Sequence, residues 1–164
     1  MNGSDILIRP AEAADQAVLQ EIRQAAFEPV FASFRSILGD EIYARAQPDD
    51  DAQAGLLASL LKAGSGWEVY AAEYARVLAG FVSVRLDRER RVGEIGLNAV
   101  RPEDQGKGIG TKMYEFAIER MREAGMRVAT VATGADASHA PARRAYEKAG
   151  FDRGIPSVWY CREL

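Results

Sequence analysis

With one cysteine and one histidine in 164 residues, the chain has little material for redox or metal chemistry. Cys161 has no partner for an internal disulfide, which suits a reducing cytosol. Together with His139 it falls short of a transition-metal donor set, so no metal is expected. Long apolar runs are missing too, and none approaches the ~18 residues that cross a bilayer. Met1-Asn2-Gly3-Ser4-Asp5 has neither the basic nor the apolar segment of a signal peptide, so a cytoplasmic protein with no membrane partner is expected. Asn2-Gly3-Ser4 fits a glycosylation sequon that such a protein would not use. A net charge of −3 offers no basic excess for nucleic acid. There is no internal repeat, low-complexity tract or linker. What remains is 48% hydrophobic and 27% charged, the composition of one ordinary globular domain over 1–164.

The apolar pattern predicts a short strand at Ile6–Ile8, closed by Arg9-Pro10. Asp15 is expected to cap a helix with the stripe Val18, Leu19, Ile22 and Ala26. A broken helical stretch follows through Val30, Phe31, Phe34, Ile37 and Leu38 to Ile42 and Tyr43. Pro48-Asp49-Asp50-Asp51 opens another helix carrying Leu56, Leu57, Leu60 and Leu61. Strands are expected at 67–74, 77–87 and 91–100, joined by turns short enough for an antiparallel meander. A long helix over 108–124 precedes a buried strand at 128–133. A last helix over 139–149, capped near Ser138, leads to a final strand at 158–162. This order describes an α+β sheet with one parallel crossover.

Between the third meander strand and the long helix lies Gln105-Gly106-Lys107-Gly108-Ile109-Gly110. Alternate glycines let backbone N–H groups point one way, and a helix start adds free N–H groups and a positive dipole end. Such a loop binds phosphate. It is not a Walker A loop, because Gly108 rather than Ser or Thr follows Lys107. It is not a dinucleotide fingerprint either, because its spacing is G-x-G-x-G and it lies late in the chain.

Val100 through Gly110 resembles the acetyl-CoA loop of the GNAT acetyltransferase superfamily: Arg or Gln, then x-x-Gly-x, then Gly or Ala. Ala142-Arg143-Arg144-Ala145-Tyr146-Glu147-Lys148-Ala149-Gly150-Phe151 resembles the second signature of that family. The two occur in the right order, and the specific match covers roughly 91–151. The resemblance implies an α+β, GNAT-like mixed, mostly antiparallel sheet flanked by helices. Its central strand pair would splay apart to admit pantetheine. Acetyl-CoA would be the co-substrate, and the reaction acetyl transfer to an amine by direct attack.

An alkyl ammonium with a pKa near ~10.4 lies about 3.4 units from neutrality at pH 7, roughly 4.6 kcal/mol, so a base must take its proton. The leaving thiolate, near ~8.5, benefits from an acid. Tyr146 matches the family's acid tyrosine, and a phenol keeps its proton at pH 7. Glu94, a carboxylate in an otherwise apolar strand, is the candidate base; its other reading is a solvent-facing residue or a partner of Arg91. Asp136 and Glu73 are further carboxylates that could serve. One relative that acetylates ribosomal-protein N-termini carries a glutamate base where this chain has Gly134.

The resemblance gives Asn98, Ala99 and Val100 to the pantetheine amides through their backbone. It gives Gln105, Gly106, Lys107, Gly108, Ile109, Gly110 and Thr111 to the pyrophosphate. His139 stands where the family usually has a cofactor-touching asparagine, and Arg143 could reach the CoA phosphates. Phe27, Phe31, Phe34, Tyr43, Trp159 and Tyr160 are candidates to shape the acceptor site, and Asp49-Asp50-Asp51 could draw a cation. The expected acceptor is a small-molecule amine. A protein or peptide acceptor, a non-catalytic acyl-CoA sensor and a homodimer all stay open.

Overall fold

The computed structural model describes residues 6–47 and 50–164, with only the backbone described at 50–54. The sequon at Asn2 and the side chains of the Asp49–Asp51 run therefore lie outside the described residues. Five strands form one sheet in chain order: β1 (Ile6–Pro10), β2 (Trp67–Tyr74), β3 (Val77–Asp87), β4 (Val92–Val100) and β5 (Val128–Val131). The first four are antiparallel to their neighbours, and β5 runs parallel to β4. The expected α+β architecture is present: five strands, mostly antiparallel, with helices on both faces.

Alternation along the strands splits the core in two. Val69, Ala71, Phe81 and Ala99 face one side, against Leu19 and Ile22 of α1 (Gln16–Leu38) and Leu57 and Leu60 of α3 (Asp50–Leu60). Tyr70, Ala72, Val82, Val84 and Ile95 face the other, against Ile109, Met113, Ala117 and Met121 of α4 (Ile109–Glu123) and Tyr146 of α5 (Ala140–Lys148). A short α2 (Asp40–Ala46) follows α1 after Gly39. Gly125 in the left-handed region ends α4.

Four expectations are corrected. The helix expected over Val18–Ala26 and the start of the stretch from Val30 are one helix, Gln16–Leu38, with Pro29 inside it, and the break in that stretch falls at Gly39. Proline inside a helix costs ~3 kcal/mol. Buried Leu19, Ile22 and Phe31 each contribute ~1.5–3 kcal/mol, so tertiary packing outweighs the local penalty. Asp15 stands at the α1 start but makes no side-chain cap there. Its carboxylate accepts instead from Arg9 at 2.7 and 3.0 Å and from the Glu12 amide at 2.8 Å. Strand β5 ends at Val131 and is not buried: Val128 is 53% exposed. The final strand at 158–162 is absent. Residues 151–164 have no regular structure, and Val158, Trp159 and Tyr160 are exposed.

Two local features set up the cleft. The β4–β5 ladder pairs only Val92–Ile95 with Val128–Val131, so from Gly96 onward the β5-facing edge of β4 has no strand beside it. The β3–β4 register also shifts between Val82 and Val84. Ser83, fully buried, donates from Oγ to the Leu97 carbonyl at 2.9 Å and stabilises that bulge. The extra residue reverses the alternation. Leu97 packs with the α1 cluster, while Asn98 meets the tyrosines of α4 and α5.

Candidate active site

A cleft of about 700 Å³ opens where β4 and β5 part. Gly96–Val100, Asp104–Gly106, Gly108–Thr111, Thr133, His139 and Tyr146 line it, with Ala26, Phe27, Pro29 and Val30 of α1 as a separate wall. Of the residues singled out in the sequence, Asn98, Ala99, Val100, Gln105, Gly106, Gly108, Ile109, Gly110, Thr111, His139 and Tyr146 come together here.

At the loop, Gly106 and Gly108 both have left-handed φ, 79° and 85°, with nothing within 4 Å of where a Cβ would stand. Gly108 caps α4 without a side-chain hydrogen bond. The first-turn N–H groups of that helix therefore receive no cap from that residue. An anion is accommodated at such a start.

Below the loop lies a chain of hydrogen bonds. Asn98 Nδ2 donates to the Gly96 carbonyl at 2.9 Å. A carbonyl can only accept, so the amide orientation is fixed. The same Nδ2 then donates to the Tyr146 hydroxyl at 3.0 Å, and Asn98 Oδ1 accepts from Tyr114 at 2.9 Å. Burial first, and then the adjacent Tyr146, push Tyr114 well above the usual phenol range and keep it a neutral donor. Tyr146 thus has its oxygen held by Asn98, with the Tyr114 hydroxyl also beside it. Tyr114 and the side chain of Asn98 are additions to the sequence reading.

Across the cleft, Asp136 organises the turn that leads into α5. Its Oδ2 accepts from Ser33 of α1 at 2.8 Å, from the Ser138 amide at 3.1 Å and from Ser138 Oγ. Its Oδ1 lies 2.5 Å from His139 Nδ1. Burial pushes the Asp136 carboxyl up, but the hydrogen bonds from Ser138, His139 and Ser33 outweigh it and hold the group well below the carboxylate range. Asp136 caps the turn 137–139, and α5 starts after His139, next to Ser138, where the cap was expected. Phe34 stacks on the imidazole at 5.7 Å.

Three candidates do not line the cleft. Lys107 is ion-paired with Asp104 at 2.7 Å and lies over the Tyr74 ring. Arg143 donates to the Gly134 and Asp136 carbonyls at 2.7 and 2.8 Å, bracing the turn. Glu94 pairs with Arg85, not Arg91, and lines a separate depression beside Asp87 and Thr130. It precedes the bulge, so its side chain falls on the opposite sheet face from Tyr146. Glu73 is taken by Arg9 at 2.7 Å. Of the aromatic candidates, Phe27 is on the α1 wall and Phe34 reaches the site through His139, while Phe31 is core. Tyr43 lies under Arg35 on the surface.

The sequence matches the model of the acetyltransferase (GNAT) family over residues 19–151. The chain belongs to that family. Its fold is similar to that of a PaiA N-acetyltransferase from Thermoplasma acidophilum in complex with coenzyme A, with a TM-score of 0.69 at 18% identity over 93% of this chain and 92% of that one. The ribosomal-protein-S18-alanine N-acetyltransferase from Escherichia coli gives 0.66 at 19% identity, covering 92% and 79%. AAC(6')-Iy, in complex with the bisubstrate analogue CoA-S-monomethyl-acetylneamine, gives 0.59 at 15%, covering 97% and 99%. No curated protein matches the sequence. Acetyl-CoA is the co-substrate that fits the family, and the open loop and unpaired β4 edge suit its pyrophosphate and amides. Among the described residues no helix is long and apolar enough to cross a membrane.

Proposed function

We propose that the chain is an N-acetyltransferase that moves the acetyl group of acetyl-CoA to the amine of a small molecule by direct attack. The observation that carries this reading is the Tyr146 hydroxyl, its oxygen held by Asn98, in the cleft that the phosphate loop opens into. Bound acetyl-CoA supplies an activated carbonyl and a thiolate leaving group. The loop amides at 105–111 hold the pyrophosphate, and the backbone of Asn98, Ala99 and Val100 pairs with the pantetheine arm as an added strand would. Tyr146 gives its proton to the departing sulfur. The α1 wall of Ala26, Phe27, Pro29 and Val30 closes one side of the cleft and supports a small acceptor over a protein segment.

The test starts with binding. Acetyl-CoA should raise the melting temperature, because it binds only the folded state. Gly108→Asp should abolish the shift, by placing a carboxylate over the helix start. CoA release over a panel of amines, read with a thiol dye, and mass spectrometry of the products identify the acceptor. Equal stabilisation of both proteins would overturn the loop assignment, and binding without CoA release over the panel would leave an acyl-CoA sensor.

A further inference from the structure

Asp136 and His139 form a dyad that the loop and Tyr146 do not account for. We infer that His139 Nε2 takes the proton of the acceptor amine and that Asp136 is its positioning residue, an inference that rests on the acetyl-transfer reading. Both Asp136 oxygens are occupied: Oδ2 by Ser33 and Ser138, Oδ1 by the imidazole at 2.5 Å. A carboxylate so saturated with donors stays ionised and is a poor proton acceptor. It fixes the proton of the neighbouring imidazole on Nδ1 instead.

The opposite nitrogen, Nε2, then carries a lone pair and has no hydrogen-bond partner among the described residues. The ring that carries it lines the same cleft as Tyr146 and Asn98. Its surroundings hold the ring in place. Phe34 stacks on it, Asp136 holds Nδ1, and Gly134 leaves it room. A Cβ at residue 134 would stand 2.5 Å from Nδ1 and 2.7 Å from Asp136 Oδ1. The charged and titratable groups around it are Asp136 on the turn itself, Arg143, Tyr146 and Lys148 on α5, Tyr114 on α4 and Asp104 at the loop, while α1 presents the neutral Ser33 and Phe34.

The proton balance closes. Nε2 takes one proton from the ammonium. The neutral nitrogen forms the N–C bond as the C–S bond breaks, and Tyr146 protonates the sulfur. The second nitrogen proton restores the phenol through solvent, and the imidazolium gives its proton to water. One proton is released per turnover.

The test uses the fact that His139 is the only histidine. Nitrogen-15 NMR of the whole protein labelled at imidazole should show a single ring with its proton on Nδ1, and Asp136→Asn should shift the tautomer. A wild-type proton on Nε2 would overturn the proposal whatever the activity. In kinetics with acetyl-CoA and the best acceptor among spermidine, tobramycin and an alanyl peptide, His139→Gln should lose roughly 10²-fold in kcat at neutral pH. The deficit should shrink toward about pH 9.5, where free amine comes from solution. KM for acetyl-CoA and the melting shift it causes should hold, and added imidazole should restore part of the rate in His139→Gly. A loss constant with pH, or a raised KM with kcat kept, would make His139 a co-substrate contact and sink the base. Wild-type transfer with an unimpaired His139→Gln sinks the base alone, whereas a wild type that binds no acetyl-CoA sinks the transferase reading with it.

Discussion

The Tyr114–Asn98–Tyr146 chain can be tested by a double-mutant cycle whose sign is unusual. Tyr114→Phe removes one hydrogen bond, the 2.9 Å contact to Asn98 Oδ1, and should cost about 1 kcal/mol. Asn98→Ala removes three, to Tyr114, Tyr146 and the Gly96 carbonyl. It also strands the Tyr114 hydroxyl on a ring that is 5% exposed. A buried hydroxyl without a partner costs ~1–3 kcal/mol, so Asn98→Ala should lose roughly 2–4 kcal/mol in all. In that background Tyr114→Phe deletes the stranded group and should restore about 1–2 kcal/mol. The same substitution thus destabilises the wild type and stabilises the variant, a coupling of roughly 2–3 kcal/mol. Urea unfolding of the four proteins reads this as a shift in midpoint at constant slope. In melting temperature, Asn98→Ala should fall by roughly 5–15 °C, and the double variant should recover part of it. Additivity to within about 0.5 kcal/mol would refute the chain, and would mean that cleft water already satisfies the Tyr114 hydroxyl.

Tyr146→Phe keeps the ring, so kcat should fall by roughly 10²–10⁴ with KM for acetyl-CoA held; an unchanged kcat would reduce Tyr146 to packing. Glu94→Gln should leave kcat/KM within about twofold, because the carboxylate pairs with Arg85 outside the cleft, and its surface pair contributes only ~0–1 kcal/mol to stability. Asp15, held down first by its hydrogen bond from Arg9, and Asp136, held down by its donors against burial, both have folded values below the ordinary 3.8. Their contribution is therefore complete above that value and is lost as pH falls through the folded ones. Melting temperature should drop steeply below about pH 3.8, and less steeply in Asp136→Asn; equal slopes would remove Asp136 from the account.

Legibility in the sequence followed locality. The meander strands and α4 carry their own periodicity and turn residues, and their bounds fall within a residue or two of expectation. The loop at 105–110 and Tyr146 are motif residues. The continuity of α1 across Pro29 was not legible, because the cost of a proline is local while the packing that outweighs it is not. The strand expected at 158–162 has suitable residues, but strand character needs a neighbour, and β5 pairs only with β4. Glu94 was misplaced because one bulge at Gly96–Leu97 changes which side chains face the cleft, and no residue type announces it. The dyad had a signal, Asp136-Ala137-Ser138-His139, which fits an Asx cap. Its meaning depends on Ser33 and Phe34, more than a hundred residues earlier.

Two sides of the cleft differ in their descent along the chain. One, from β4 through the loop into α4, falls within 96–111, and the α1 wall spans only 26–30. Helix α1 is tied instead to the turn before α5, where Ser33 donates to Asp136 at 2.8 Å. Substitutions in 26–30 should therefore combine almost additively with those in the loop. A lineage, or a designer, could exchange the α1 wall for a different set of side chains while the loop is inherited unchanged. The same separation makes residues 26–30, rather than the motif, the economical place for a saturation library.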